Sequence, residues 1–158
     1  KLSGWVGYTL ATSRRKFNEI NSGEEFAARQ DRRHDISIVA IYDVNKKLSL
    51  STSWVYNTGD AITLPVGKYT FQGTTYDLYG TRNQERYPSY HRMDIGVTYY
   101  AKKTEKFESS WNLSIYNVYN NKNPFQVNFE NVEGNDNQRQ VVLTYFPILP
   151  AITWNFKF

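Results

Sequence analysis

Two histidines stand close to carboxylates, in Arg33-His34-Asp35 and in His91-Arg92-Met93-Asp94. A histidine oriented by an aspartate is a common general base near neutral pH, so these segments could build a hydrolytic site at the rim of a β-structure. Strand parity opposes that use. Successive side chains of an extended chain point to opposite faces, which puts His34 with Ile36 and Ile38, and Asp35 with Arg33 on the other side. His91 falls likewise with Met93 and Ile95. What parity favours is electrostatic: Arg33 with Asp35, and Arg92 with Asp94, are opposite charges sharing one face, suited to ion pairs that brace a partly buried wall.

A second group with chemical potential lies in the segment 58–89. Tyr69, Phe71, Tyr76, Tyr79, Arg82, Arg86 and Tyr87 combine rigid aromatics with guanidiniums capable of stacking and bidentate contacts. Two readings remain open, a ligand-facing surface and a flap that packs on itself. Other chemistries lack their residues. The chain has no Cys, hence neither a disulfide framework nor a thiolate metal site. No His and carboxylate cluster has metal-ligand spacing, and no Gly-Ser elbow or phosphate loop occurs. No metal, cofactor or covalent catalysis is therefore expected. The net charge of +4 comes from scattered Lys and Arg without a basic stripe, so nucleic acid is not an expected partner.

The elements that position these residues read as β-strands. Strand-like alternation runs over Leu2–Thr12 with Trp5 as an exception, then over His34–Val44. In Leu48–Asn57 it is cleanest: Leu48, Leu50, Trp54 and Tyr56 oppose Ser49, Ser51, Ser53 and Asn57. Further strands are expected at Tyr90–Ala101, from near Phe107 past a kink at Asn120–Pro124 to Glu130, and from Arg139 to Phe158 with a bend at Pro147 and Pro150. Gly59, Pro65, Gly67, Gly73, Gly80 and Pro88 exclude one regular element between Thr58 and Ser89. No apolar run approaches the roughly 20 residues of a membrane helix. Low mean hydropathy is compatible with a membrane barrel, whose strands hide an apolar face by alternation. Aromatics make up 16% of residues, more than a generic core needs and suited to interfacial girdles.

At the carboxyl end, Ile152, Trp154, Phe156 and Phe158 share one face and Ala151, Thr153, Asn155 and Lys157 the other. A strand between lipid and a wet lumen requires that arrangement, whereas a soluble edge strand with bare terminal aromatics invites aggregation. The connections run long, short, long, short, medium. Outer-membrane barrels have long extracellular loops and short periplasmic turns, so strands two, four and six run downward and Phe158 falls in the periplasm. Six strands are fewer than the smallest closed barrels, which have about eight. The chain also begins at Lys1 without an export leader. Residues 1–158 are therefore expected to be the carboxyl-terminal part of a larger barrel domain.

Several segments resemble the carboxyl-terminal region of TonB-dependent outer-membrane receptors. Asn117-Val118-Tyr119-Asn120 with Asn123-Pro124-Phe125 is similar to that family's penultimate-strand signature, with Val118 where Leu is commoner and Tyr119 where Phe is commoner. Arg92-Met93-Asp94 is similar to its Arg-x-Asp strand, and 146–158 to its last strand. The resemblance covers roughly the last 70 residues well and the first 90 only in style. It implies an all-β, antiparallel transmembrane barrel of about 22 strands, of which these are about the last six. It further implies uptake of a large scarce solute, such as a metal chelate, cobalamin or an oligosaccharide, energised by the TonB complex. The implied partners are outer-membrane lipid, the remaining strands and plug, the TonB complex through that plug, and the barrel-assembly machinery, which would read Ile152, Trp154, Phe156 and Phe158 as its signal. Plug and TonB-contacting box lie outside these residues. Competing readings are an outer-membrane barrel enzyme with a rim His/Asp site and a soluble carbohydrate-binding β-sandwich.

Overall fold

The structure is a computed structural model that describes residues 1–104, 107–132, 135–144 and 146–158, with the backbone alone at 103, 124–132 and 135–144. The described chain is all-β, without an α-helix. Strand β1 spans Leu2–Leu10; β2 (Arg14–Arg15) and β3 (Phe26–Ala27) flank a short 3-10 turn at Asn21–Gly23. The next long strands are β4 (His34–Asn45) and β5 (Leu48–Asn57). Then come β6 (Ala61–Ile62), β7 (Pro65–Phe71), β8 (Thr74–Tyr79), β9 (Glu85–Arg86) and β10 (Tyr90–Lys103). β11 (Glu108–Tyr116), β12 (Pro124–Val132), β13 (Asn135–Thr144) and β14 (Leu149–Lys157) complete the order. The chain divides into two compact units, one of 1–8, 36–56 and 90–158, the other of 9–35 and 57–89.

The first unit is built on a six-stranded antiparallel sheet in the order β1-β4-β5-β10-β11-β14, an open meander without barrel closure. Its turns are chemically specified: Asn45 Oδ1 accepts the Lys47 N–H at 2.8 Å between β4 and β5, and Thr104 Oγ1 accepts the Phe107 N–H at 3.0 Å between β10 and β11. Register sorts the two faces. Val97, Leu113 and Ile152 lie side by side, as do Tyr99, Trp111 and Trp154, while Thr98, Asn112 and Thr153 form the opposite row. Asn112 Nδ2 donates to Thr98 Oγ1 at 2.9 Å across that polar row.

The burial in this sheet is inverted relative to a water-facing core. Leu113 is 53% exposed, Trp154 50% and Ile152 69%, whereas Ser49 is nearly completely buried, and in the turn after β11 Asn117 is completely buried and Asn123 nearly so.

Two strand expectations need correction. The fifth strand of the sheet stops at Tyr116, because Asn117 adopts a left-handed φ of 54° and Asn120 one of 53°, a region asparagine tolerates better than most residues. Residues 124–132 belong instead to β12, which pairs with β13 in a separate hairpin. The last strand starts at Leu149 and not at Arg139, so 117–148 is one long connection and β14 pairs directly with β11. Pro150 is accommodated because β14 is the sheet's edge. Since Glu108 faces Lys157, the carboxyl end lies beside the start of β11, at the end of the sheet that carries the short turns.

The second unit buries its apolar groups in the ordinary way: Phe26, Ala28 and Ala61 are all at most 5% exposed. Short ladders, β2 with β3 and β6 with β9, hold it together. The segment expected as a plain long loop also contains the β7–β8 hairpin, whose two-residue turn places Gln72 and Gly73 at φ 50° and 80°, the geometry that matches strand twist. Gly59 is required sterically, since a Cβ there would fall on the Tyr87 carbonyl.

Candidate functional site

The Arg-x-Asp and asparagine segments, far apart in sequence, meet in the first unit around Asp94. Arg92 and Asp94 share the polar face of β10, and Arg92 Nη2 lies 3.0 Å from Asp94 Oδ2. The same carboxylate accepts Ser53 Oγ at 3.4 Å, and its Oδ1 accepts the Asn117 N–H at 2.9 Å. Arg92 Nη1 donates to the Tyr116 hydroxyl at 2.7 Å and to Tyr90 at 3.0 Å, and the guanidinium sits 4.1 Å over the Tyr116 ring. The arginine is thus held by charge, hydroxyls and a π face together.

Asn117 carries the network onward. Its Nδ2 donates to the carbonyls of Asn121 and Phe146 at 3.0 and 3.2 Å, and its Oδ1 accepts the Asn121 N–H at 3.0 Å. Asn121 Nδ2 in turn reaches the His91 carbonyl and Asn123 Oδ1, which also accepts the His91 N–H. Asn120 Oδ1 accepts from Ile148 N at 3.0 Å. The turn between β11 and β12 is therefore stitched to β10 and to the entry of β14, the work of side chains that offer both donor and acceptor. Tyr116, Ser53 and Asn121 were missed in the sequence reading; the crowding of asparagines at 117, 120, 121 and 123 was the available signal.

His91 does not meet Asp94. Its Nδ1 lies 3.0 Å from the Tyr119 hydroxyl, on the other face from Asp94. Arg33 and Asp35 form no ion pair with each other among the described residues; the neighbouring Arg32 pairs with Asp60 at 2.7 Å instead.

Three residues of the expected terminal signal form an aromatic ladder with β11. Trp111 stacks on Trp154 at 5.8 Å, Trp154 contacts Phe156 at 4.7 Å, and Phe156 stacks on Phe158 at 6.0 Å. The Trp154 indole N–H is satisfied by Ser109 Oγ at 2.9 Å, leaving an amphipathic ring with a bonded polar edge. Ile152 continues the same face opposite Leu113.

The aromatic and arginine residues of 58–89 separate into different jobs. Tyr69 and Tyr76 face each other across β7 and β8 and stack at 5.5 Å, with Phe71 on their face, all well exposed. Tyr79 lies opposite Pro65, also exposed. Arg86 is structural: it binds both the carboxylate and the carbonyl of buried Asp31, and the Gly59 carbonyl at 3.2 Å. Burial pushes the Asp31 carboxyl up, but the Ser13 N–H and the Arg86 guanidinium outweigh it and hold its pKa below the ordinary 3.8. The Tyr87 N–H donates to the Asp60 carbonyl at 2.9 Å. Arg82 is fixed by Asn21, which accepts its backbone N–H at 2.8 Å, and the residue lines a cleft with Arg15 and Arg29. Arg86 is thus tied into its own unit, while Tyr69, Phe71, Tyr76 and Tyr79 stay exposed.

Compared with known proteins, the chain matches no family model, no curated sequence and no solved structure.

Proposed function

We propose that the six-stranded sheet is a section of the wall of an outer-membrane β-barrel. The observation that carries this reading is the inverted burial: tryptophan and aliphatic side chains outward, asparagine, serine and the Arg92–Asp94 pair on the shielded or polar side. In water each such apolar side chain would forgo about 1.5–3 kcal/mol of burial; against lipid it would not. The two edge strands, β1 and β14, each have one neighbour in the sheet. In a bilayer their outer backbone groups need further strands of the same barrel, because unpaired groups there cost several kcal/mol each.

The resemblance to TonB-dependent receptors extends the proposal to a transporter of a large scarce solute, with the long connections extracellular and the short turns and Phe158 periplasmic. In that role the chain performs no covalent chemistry. The Asp94 network fixes the wall, Ile152, Trp154, Phe156 and Phe158 address the assembly machinery, and exposed residues such as Tyr69, Phe71, Tyr76 and Tyr79 offer ligand contacts. Phase partitioning of the intact protein tests the reading. Recovery in the detergent phase is expected; recovery in the aqueous phase would set the apolar face against a second sheet, as in a soluble carbohydrate-binding sandwich.

A further inference from the structure

The second unit treats its arginines in two ways. Arg32 and Arg86 have carboxylate partners, Asp60 and Asp31. Arg15, Arg29 and Arg82 instead line one cleft of about 280 Å³ together with Phe17, Ile20, Phe26 and Asn83, and no carboxylate is in its lining. No ion pair to any of the three occurs among the described residues. Three arginines lining one cleft bring like charges into one neighbourhood, a repulsion that a bound anion reverses.

The cleft is held from behind. Arg15 sits on β2 opposite Phe26, whose ring is buried and lies 6.1 Å from Phe17. Arg29 is anchored through its carbonyl, which accepts the Ala61 N–H at 2.9 Å. Arg82 is clasped on both backbone groups by Asn21, and Asn83, at a left-handed φ of 56°, donates to the Ala27 carbonyl at 2.8 Å and accepts from Thr63 through its side chain. The backbones that carry the three cations are thus cross-linked before any ligand arrives, which lowers the ordering cost of binding.

We propose that this cleft binds a small polyanion with an aromatic or apolar body, its carboxylate-like groups engaged by Arg15, Arg29 and Arg82 and its body against Phe17 and the edge of Phe26. Planar forks suit bidentate contact with such groups, and the volume is near the lower end of small-molecule clefts, about 300–1,000 Å³. The inference does not rest on the membrane reading, since every lining residue belongs to the second unit.

The test is calorimetric titration of the full chain with trimesate, which carries three carboxylates on an aromatic ring, with citrate and with the neutral triamide of trimesate. Trimesate should bind with an affinity that falls as salt rises, citrate more weakly, and the triamide not at all. Arg15→Gln, Arg29→Gln and Arg82→Gln should each weaken trimesate about ten-fold or more, while Arg14→Gln, outside the lining, should not. Phe17→Ala should weaken trimesate and leave citrate unchanged. Where a glutamine variant does not fold, the lysine variant at the same position keeps the charge without the planar fork and should bind more weakly than wild type. Absence of trimesate binding, equal binding of the triamide, or wild-type affinity in the arginine variants would overturn the proposal.

Discussion

The two units solve opposite problems. In the second, Phe26, Ala28 and Ala61 are buried and Asp31 is buried only with Arg86 and Ser13 as partners, the usual solution for a surface in water. In the first, the completely buried side chain is Asn117, in the turn after β11, while Leu113, Ile152 and Trp154 of the sheet stand outward. Both obey the same rule, that a shielded polar group needs a partner, but they differ in where the apolar surface goes. The contrast lies in where each unit leaves its apolar side chains, and hydropathy averaged over the chain hides it.

The comparison is broken most severely at Asn117. Asn117→Ala removes two donated bonds, leaves the Asn121 N–H without its acceptor and keeps a left-handed backbone that alanine resists. A loss of about 3–5 kcal/mol is expected in denaturant unfolding; a loss below 1 kcal/mol would mean that the asparagine network is incidental.

Next is the polarity of the sheet itself. Leu50→Arg should cost about 2–4 kcal/mol if that position lies near the bilayer midplane, and Ser51→Arg far less. Equal tolerance in a folding assay would reverse the assignment of the two faces.

Asp31→Ala probes the second unit. A loss of about 2–3 kcal/mol at neutral pH is expected, below the ~3–5 kcal/mol of a fully desolvated pair because the Arg86 side chain keeps some solvent contact. Because the folded-state pKa of Asp31 is depressed, its stabilisation is present above about pH 4 and is lost as pH falls through the lowered value. A pH-independent difference between wild type and variant between neutral and acid pH would contradict the pairing.

The alternation of Leu48–Asn57 defined β5 to the residue, because small polar and large apolar side chains exchange there, with Thr52 and Val55 the two exceptions, and the flanking turn residues end it. The same rule overran at β11 and β14. At β11 the positive φ of Asn117 and Asn120 ends the strand, a backbone choice that the residue types permit without requiring; before β14, residues 135–144 are indeed extended, but they pair with β12 in a separate hairpin. The Arg92–Asp94 pair was legible since both partners lie on one strand. The Arg86–Asp31 pair was not: 55 residues separate its members, and nothing local distinguishes Arg86 from Arg82. The Arg15, Arg29 and Arg82 cleft is hidden for the same reason.

The smallest effect on stability is expected at the carboxyl end. Phe158 is 91% exposed, so Phe158→Ala should change the unfolding of purified protein by less than about 0.5 kcal/mol, while slowing assembly in a pulse-chase experiment. A variant that assembles at the normal rate but melts early would make Phe158 an anchor and not a signal.

The proposed lipid contact is tested most directly by tryptophan fluorescence in bilayers containing brominated acyl chains, with Trp111 and Trp154 as the reporters and Trp5 and Trp54 replaced by Phe. Strong quenching of both, unchanged by an aqueous quencher, is the predicted result. Quenching by the aqueous agent alone would contradict a lipid-facing sheet.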